Sequence, residues 1–108
     1  MKNKQGDKNL KEILEKLQIK DVNIGACAGP DDWYEDPSGE EIVSYNPTSG
    51  EPIAKVIQAT EETYDRVLRL AEESFKTWRM MPAPKRGLIV RDLGEALREY
   101  KEPLGDLV

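Results

Sequence analysis

Residues 80–100 read MMPAPKRGLIVRDLGEALREY, and this stretch joins two amphipathic segments. Pro82 and Pro84 end the first segment, because proline pushes the residue before it out of the right-handed helical conformation. Pro84 also suits the first turn of a new helix, where its missing N–H removes no hydrogen bond. The stretch therefore predicts a sharp turn between two long helices.

Apolar side chains recur at helical spacing on both sides of this turn. Before it, Thr60 is a good N-cap. The apolar positions that follow Thr60 are Tyr64, Val67, Leu68, Ala71, Phe75 and Trp78. After the turn, the predicted buried face consists of Leu88, Ile89, Leu93, Ala96, Leu97 and Tyr100. We interpret both stripes as packing surfaces, and the aromatic side chains as core rather than as a platform for a ligand.

Two glycines interrupt the second long helix. Gly87 and Gly94 are seven residues apart and so lie on one helical face. Each lowers helix propensity by about 1 kcal/mol relative to alanine. We expect another backbone to approach closely at this face; local flexibility is the alternative interpretation.

The two ends of the chain carry weaker helical patterns. A short helix is predicted over residues 8–17, and residues 1–7 are predicted to be a disordered tail. Residues 102–108 begin a further helical turn near Pro103 that ends at an apolar Val108 without a cap, and we expect the chain to be cut inside an element there. The apolar stripe of the first helix is Leu10, Ile13, Leu14 and Leu17.

The middle of the chain predicts β-structure. Ile42–Tyr45 is rich in β-branched and aromatic residues, Pro52–Gln58 is its predicted partner, and Asn46–Gly50 supplies turn residues between them. We therefore predict an antiparallel hairpin over residues 41–58, with residues 33–34 as a candidate third strand, and a loop over residues 25–30. The segment as a whole is predicted to be α+β: this hairpin, a short N-terminal helix and two long amphipathic helices.

Composition excludes several classes of protein. A length of 108 residues fits one small domain. A net charge of −5 argues against nucleic acid as a partner, and no apolar run approaches the roughly 18 to 20 residues that cross a bilayer. Cys27 is the single cysteine, so an internal disulfide is impossible. With no signal peptide at its start, the chain is expected to be cytoplasmic.

Three groups of residues invite a chemical interpretation, and we interpret each as structural. Cys27 lies in the small-residue run 25–29, which resembles the turn that presents a nucleophile, but the chain has no histidine to activate a thiol. Lys85 and Arg86 lie in the first turn of a helix, where an anion can bind. The acids interspersed along that helix instead favour a solvated or ion-paired role for these two side chains.

The third group is the acidic segment 31–41. Its carboxylates could bind a hard cation, but they lack the spacing of a calcium loop, and Pro37 interrupts them. We predict a solvated acidic turn formed by Asp31, Asp32, Glu35, Asp36, Glu40 and Glu41. The sequence thus predicts no catalytic, cofactor-binding or metal-binding residue.

Two motifs carry a resemblance to a known family. The run SYNPTSGEPIAKV (residues 44–56), then a helix ending in Trp78, then PAPKRG (residues 82–87) resembles the N-terminal part of NAD-dependent aldehyde dehydrogenases. The second motif, with LGDLV at residues 104–108, is most similar to the antiquitin branch, whose members oxidise α-aminoadipic semialdehyde. The resemblance covers residues 8–108.

The resemblance implies a larger α/β parent fold with a Rossmann-type coenzyme domain, to which residues 8–108 would contribute the N-terminal part. It implies NAD as the cofactor of the complete enzyme, the rest of that chain as the partner of this segment, and a dimer or tetramer. The family's nucleophilic cysteine, its catalytic glutamate and its NAD-binding residues lie outside the matched part. We therefore expect the 108-residue chain to be inactive alone, with apolar stripes that lack part of their cover. The alternative is a small non-enzymatic interaction module.

Overall fold

A computed structural model describes the backbone of residues 4–108 and the side chains of residues 9–108. The helices are α1 (Lys4–Lys16), α2 (Glu61–Trp78), α3 (Ala83–Glu99) and α4 (Lys101–Leu107). The strands are β1 (Val22–Ile24), β2 (Cys27–Gly29), β3 (Asp32–Trp33), β4 (Glu41–Tyr45) and β5 (Pro52–Ile57).

The chain divides into two compact units where one small domain was expected. One unit comprises Met1–Lys20 with Met81–Val108, and the other comprises Asp21–Met80. The second boundary falls between Met80 and Met81, one residue before Pro82, where the sequence predicts a turn. The α+β class is confirmed, with the strands confined to the Asp21–Met80 unit.

The predicted hairpin is confirmed and supplies two strands of a three-stranded sheet with the order β1-β5-β4, in which β5 is central. β4 pairs antiparallel with β5, with Glu41 opposite Ile57 and Ser44 opposite Ala54. In the turn, the Gly50 N–H donates to the Asn46 carbonyl at 2.7 Å. Gly50 has φ of 73°, a left-handed conformation that glycine adopts without steric cost.

The other strands differ from the prediction. β1 pairs parallel with β5. The sequence did not predict this strand, because residues 22–24 are too few to show an alternating pattern. β2 and β3 form a separate two-stranded antiparallel ribbon, hereafter the β2–β3 ribbon, with Cys27 opposite Trp33. The predicted loop over residues 25–30 is therefore wrong at Cys27–Gly29. The candidate third strand exists, but it pairs within the ribbon and not with the hairpin.

Gly25 explains how the backbone passes from β1 into the ribbon. Its N–H donates to the Ile57 carbonyl at 3.0 Å, and a Cβ added there would lie 2.3 Å from that same oxygen. Any side chain would force the two backbones apart, so this crossing requires glycine.

In the unit of Met1–Lys20 and Met81–Val108, the elements among the described residues are the helices α1, α3 and α4. α1 begins at Lys4 and so includes residues 4–7 of the predicted disordered tail, while residues 1–3 lie outside the described part of the chain. α1 packs on α4, and Ile13 is its buried apolar residue. α1 ends where Gln18 takes φ of 57°, outside the right-handed helical range.

The faces predicted to pack are largely open. Leu93 is 62% exposed, Leu97 56% and Phe75 55%. This confirms the expectation that the apolar stripes are only partly covered by the rest of the chain. The interpretation of the aromatic stripe as core is wrong for Phe75 and Tyr64 in this chain, because too little of the described chain packs against α2. A Cβ added at Gly87 or Gly94 meets no described atom within 4 Å, so the expected close approach is also wrong here.

Among the described residues, no helix is both long enough and apolar enough to span a bilayer.

Candidate functional site

Asp36 is the buried charged residue of the described chain, with 9% of its surface exposed. Its Oδ2 accepts hydrogen bonds from the Thr60 N–H at 3.1 Å, from the Thr60 hydroxyl, and from the Thr63 hydroxyl at 2.9 Å. Its Oδ1 accepts from the Ser38 N–H at 3.2 Å and from the Ser38 hydroxyl at 3.0 Å. One carboxylate therefore joins the 36–39 turn to the start of α2.

The position of Asp36 sets its charge state. Hydrogen bonds from Thr60, and then from Thr63 and Ser38, hold the pKa of Asp36 well below its usual value of 3.8, and they outweigh burial, which acts in the opposite direction. The ionised side chain lies at the positive end of the α2 dipole and satisfies an N–H that the helix leaves free. The predicted solvated acidic turn is thus wrong for Asp36.

Thr60 occupies the predicted N-cap position, but its own side chain does not cap α2. Its hydroxyl donates to Asp36 instead, so the helix is capped by an acid 24 residues earlier in the chain. Local spacing predicts a cap only within a few residues of the helix. This is why the sequence located the start of α2 correctly and missed the residue that caps it.

A cavity of about 470 Å³ lies beside this cap, in the same unit. The β2–β3 ribbon and the residue after it contribute Asp32 and Tyr34. The residues from α2 are Glu62, Arg66, Arg69 and Leu70. The Arg66 guanidinium lies 4.6 Å from the centroid of the Tyr34 ring, and the Tyr34 hydroxyl donates to Asp32 Oδ2 at 2.8 Å. That hydrogen bond to a carboxylate is the main reason that the pKa of Tyr34 is raised above 10.0.

A second cavity, of about 300 Å³, lies in the helical unit and is apolar in character. Its apolar lining residues are Leu17, Leu93, Ala96, Leu97, Tyr100 and Leu104.

The residues with a possible chemical role are not brought together. Cys27 is exposed on β2. Arg86 has a buried Nε without a hydrogen-bond partner in the described part of the chain. Within that part, no cluster of three acids or thiols could hold a metal ion. The described residues therefore provide structural contacts and an arginine-lined cavity.

The junction from β5 of the three-stranded sheet into α2 does not fit a dinucleotide. It passes from β5 through Gln58, Ala59 and Thr60 into α2, without a glycine that would let a pyrophosphate approach the backbone. The helix N-terminus that would face the phosphates already holds the Asp36 carboxylate, and Glu61 and Glu62 follow. Three carboxylates there would repel a pyrophosphate.

Comparison with known proteins assigns the family. Residues 33–108 match the aldehyde dehydrogenase family, so the chain belongs to that family. This confirms the resemblance carried by the two motifs at residues 44–56 and 82–87.

Individual relatives show which members of the family the chain is similar to. The chain is 41% identical over 102 residues to aldehyde dehydrogenase family 7 member A1 of Pisum sativum, an alignment that covers 94% of this chain and 20% of the pea protein. It is 41% identical over 95 residues to alpha-aminoadipic semialdehyde dehydrogenase of Bos taurus, covering 88% of this chain and 17% of the bovine protein. The chain thus spans about a fifth of the length of these relatives.

Proposed function

We propose that this chain is a structural segment of an NAD-dependent aldehyde dehydrogenase that oxidises a semialdehyde, such as α-aminoadipic semialdehyde, to its carboxylate. The observation that carries the proposal is the 41% identity to the bovine enzyme of that name over 88% of this chain. In such a reaction the aldehyde carbon loses a hydride to NAD and gains an oxygen atom from water. No residue of this chain is assigned to those steps.

The proposed role of the segment is to form the N-terminal part of a Rossmann-type coenzyme domain. Two observations favour a structural role for the segment over a catalytic one. The β5–α2 junction does not suit a pyrophosphate, and the chain has no histidine to activate Cys27. NAD would accordingly be bound by other parts of the complete enzyme. The 108-residue chain alone is proposed to be inactive.

The exposed apolar faces support a partner for each unit. Leu93 and Leu97 on α3, and Phe75 on α2, are each more than half exposed. We propose that the rest of the dehydrogenase chain covers them, in a cytoplasmic dimer or tetramer, with neither nucleic acid nor a membrane as partner. The same exposure would serve a non-enzymatic interaction module, which is the alternative function.

A segment exchange in the pea relative tests the enzymatic proposal. Residues 8–108 of this chain would replace the aligned segment of the pea protein, and oxidation of α-aminoadipic semialdehyde would be followed through NADH absorbance. We expect the hybrid to turn over the semialdehyde and the pea protein lacking the segment to be inactive. A folded hybrid without activity, beside an active unmodified pea protein, would favour the interaction module.

A further inference from the structure

We draw no further inference here: the strongest candidate, the apolar cavity beside α1, α3 and α4 that Leu17, Leu93, Leu97 and Leu104 line, carries nothing because no contact in the described part of the chain shows what covers it.

Discussion

At the scale of single residues, Asp36 links parts of the chain that are distant in sequence. Its hydrogen-bond donors are Ser38 on one side and, 24 and 27 residues away, Thr60 and Thr63. Sequence spacing identified the start of α2 from Thr60 alone. It did not single out Asp36 among six neighbouring acids, because what distinguishes Asp36 is a contact that only the folded chain creates.

The lowered pKa of Asp36 predicts acid sensitivity. Because the folded-state pKa lies below the unfolded value of 3.8, its contribution to stability is complete above that pH and is lost as the pH falls below it. The melting temperature of the wild type should therefore fall steeply on acidification through this range. Melting curves at a series of pH values between neutrality and strong acid measure this loss.

The variant D36N separates this effect from general acid denaturation. It should melt several degrees lower than the wild type at neutral pH and depend less on pH below 4. D31N removes an exposed acid of the same segment and is the matched control. Equal behaviour of D36N and D31N would show that Asp36 does not cap α2.

Gly39 should not tolerate a side chain. An added Cβ would lie 2.1 Å from the Gln58 carbonyl oxygen and 2.9 Å from Ile57 Cγ2. Since overpacking costs about 1–3 kcal/mol, we expect G39A to lower the free energy of unfolding by that amount in urea titrations. G29A, where an added Cβ meets nothing within 4 Å, should change it by much less. Comparable losses in both variants would contradict the close approach at Gly39.

At the scale of elements, the sequence predicted structures whose contacts join neighbours along the chain and missed those whose contacts join distant residues. The hairpin was predictable because its turn residues and strand pattern are neighbours in sequence. β1 was not, because its pairing with β5 joins residues far apart in sequence, such as Val22 and Lys55, and a strand of three residues shows no periodicity. The arginine-lined cavity was also beyond prediction, since the β2–β3 ribbon and α2 form it together.

α3 provides an element-scale prediction at Gly94. Because an added Cβ there meets nothing within 4 Å in the described chain, G94A should gain about 1 kcal/mol of helix propensity without a clash. Circular dichroism at 222 nm during urea unfolding should show a higher midpoint. G50A is the opposite control, since Gly50 has φ of 73° and alanine would be strained there. A lower midpoint for G94A would reveal a neighbour that packs against this face.

At the scale of the whole molecule, open apolar surface is the dominant feature. Large apolar side chains are exposed on both units, and the alignment with the pea relative covers 20% of that protein. The proposed place of the chain in a larger enzyme accounts for both observations. Composition alone, with 38% hydrophobic residues, did not distinguish this case from a small independent domain.

This exposure predicts binding of a hydrophobic dye and a broad melting transition for the isolated chain. Replacing both Leu93 and Leu97, which are 62% and 56% exposed, with glutamine should reduce the dye fluorescence. R91Q, on the same helix, should leave it unchanged. A sharp cooperative transition without dye binding would indicate that the chain is a self-sufficient domain.

We propose that this chain supports an aldehyde dehydrogenase without supplying its reacting groups. The most direct measurement is NADH formation by the purified 108-residue chain with NAD and α-aminoadipic semialdehyde, compared with a blank that lacks protein. We predict a rate equal to the blank at every substrate concentration. A saturable rate above the blank that is lost on heating the protein would contradict the claim.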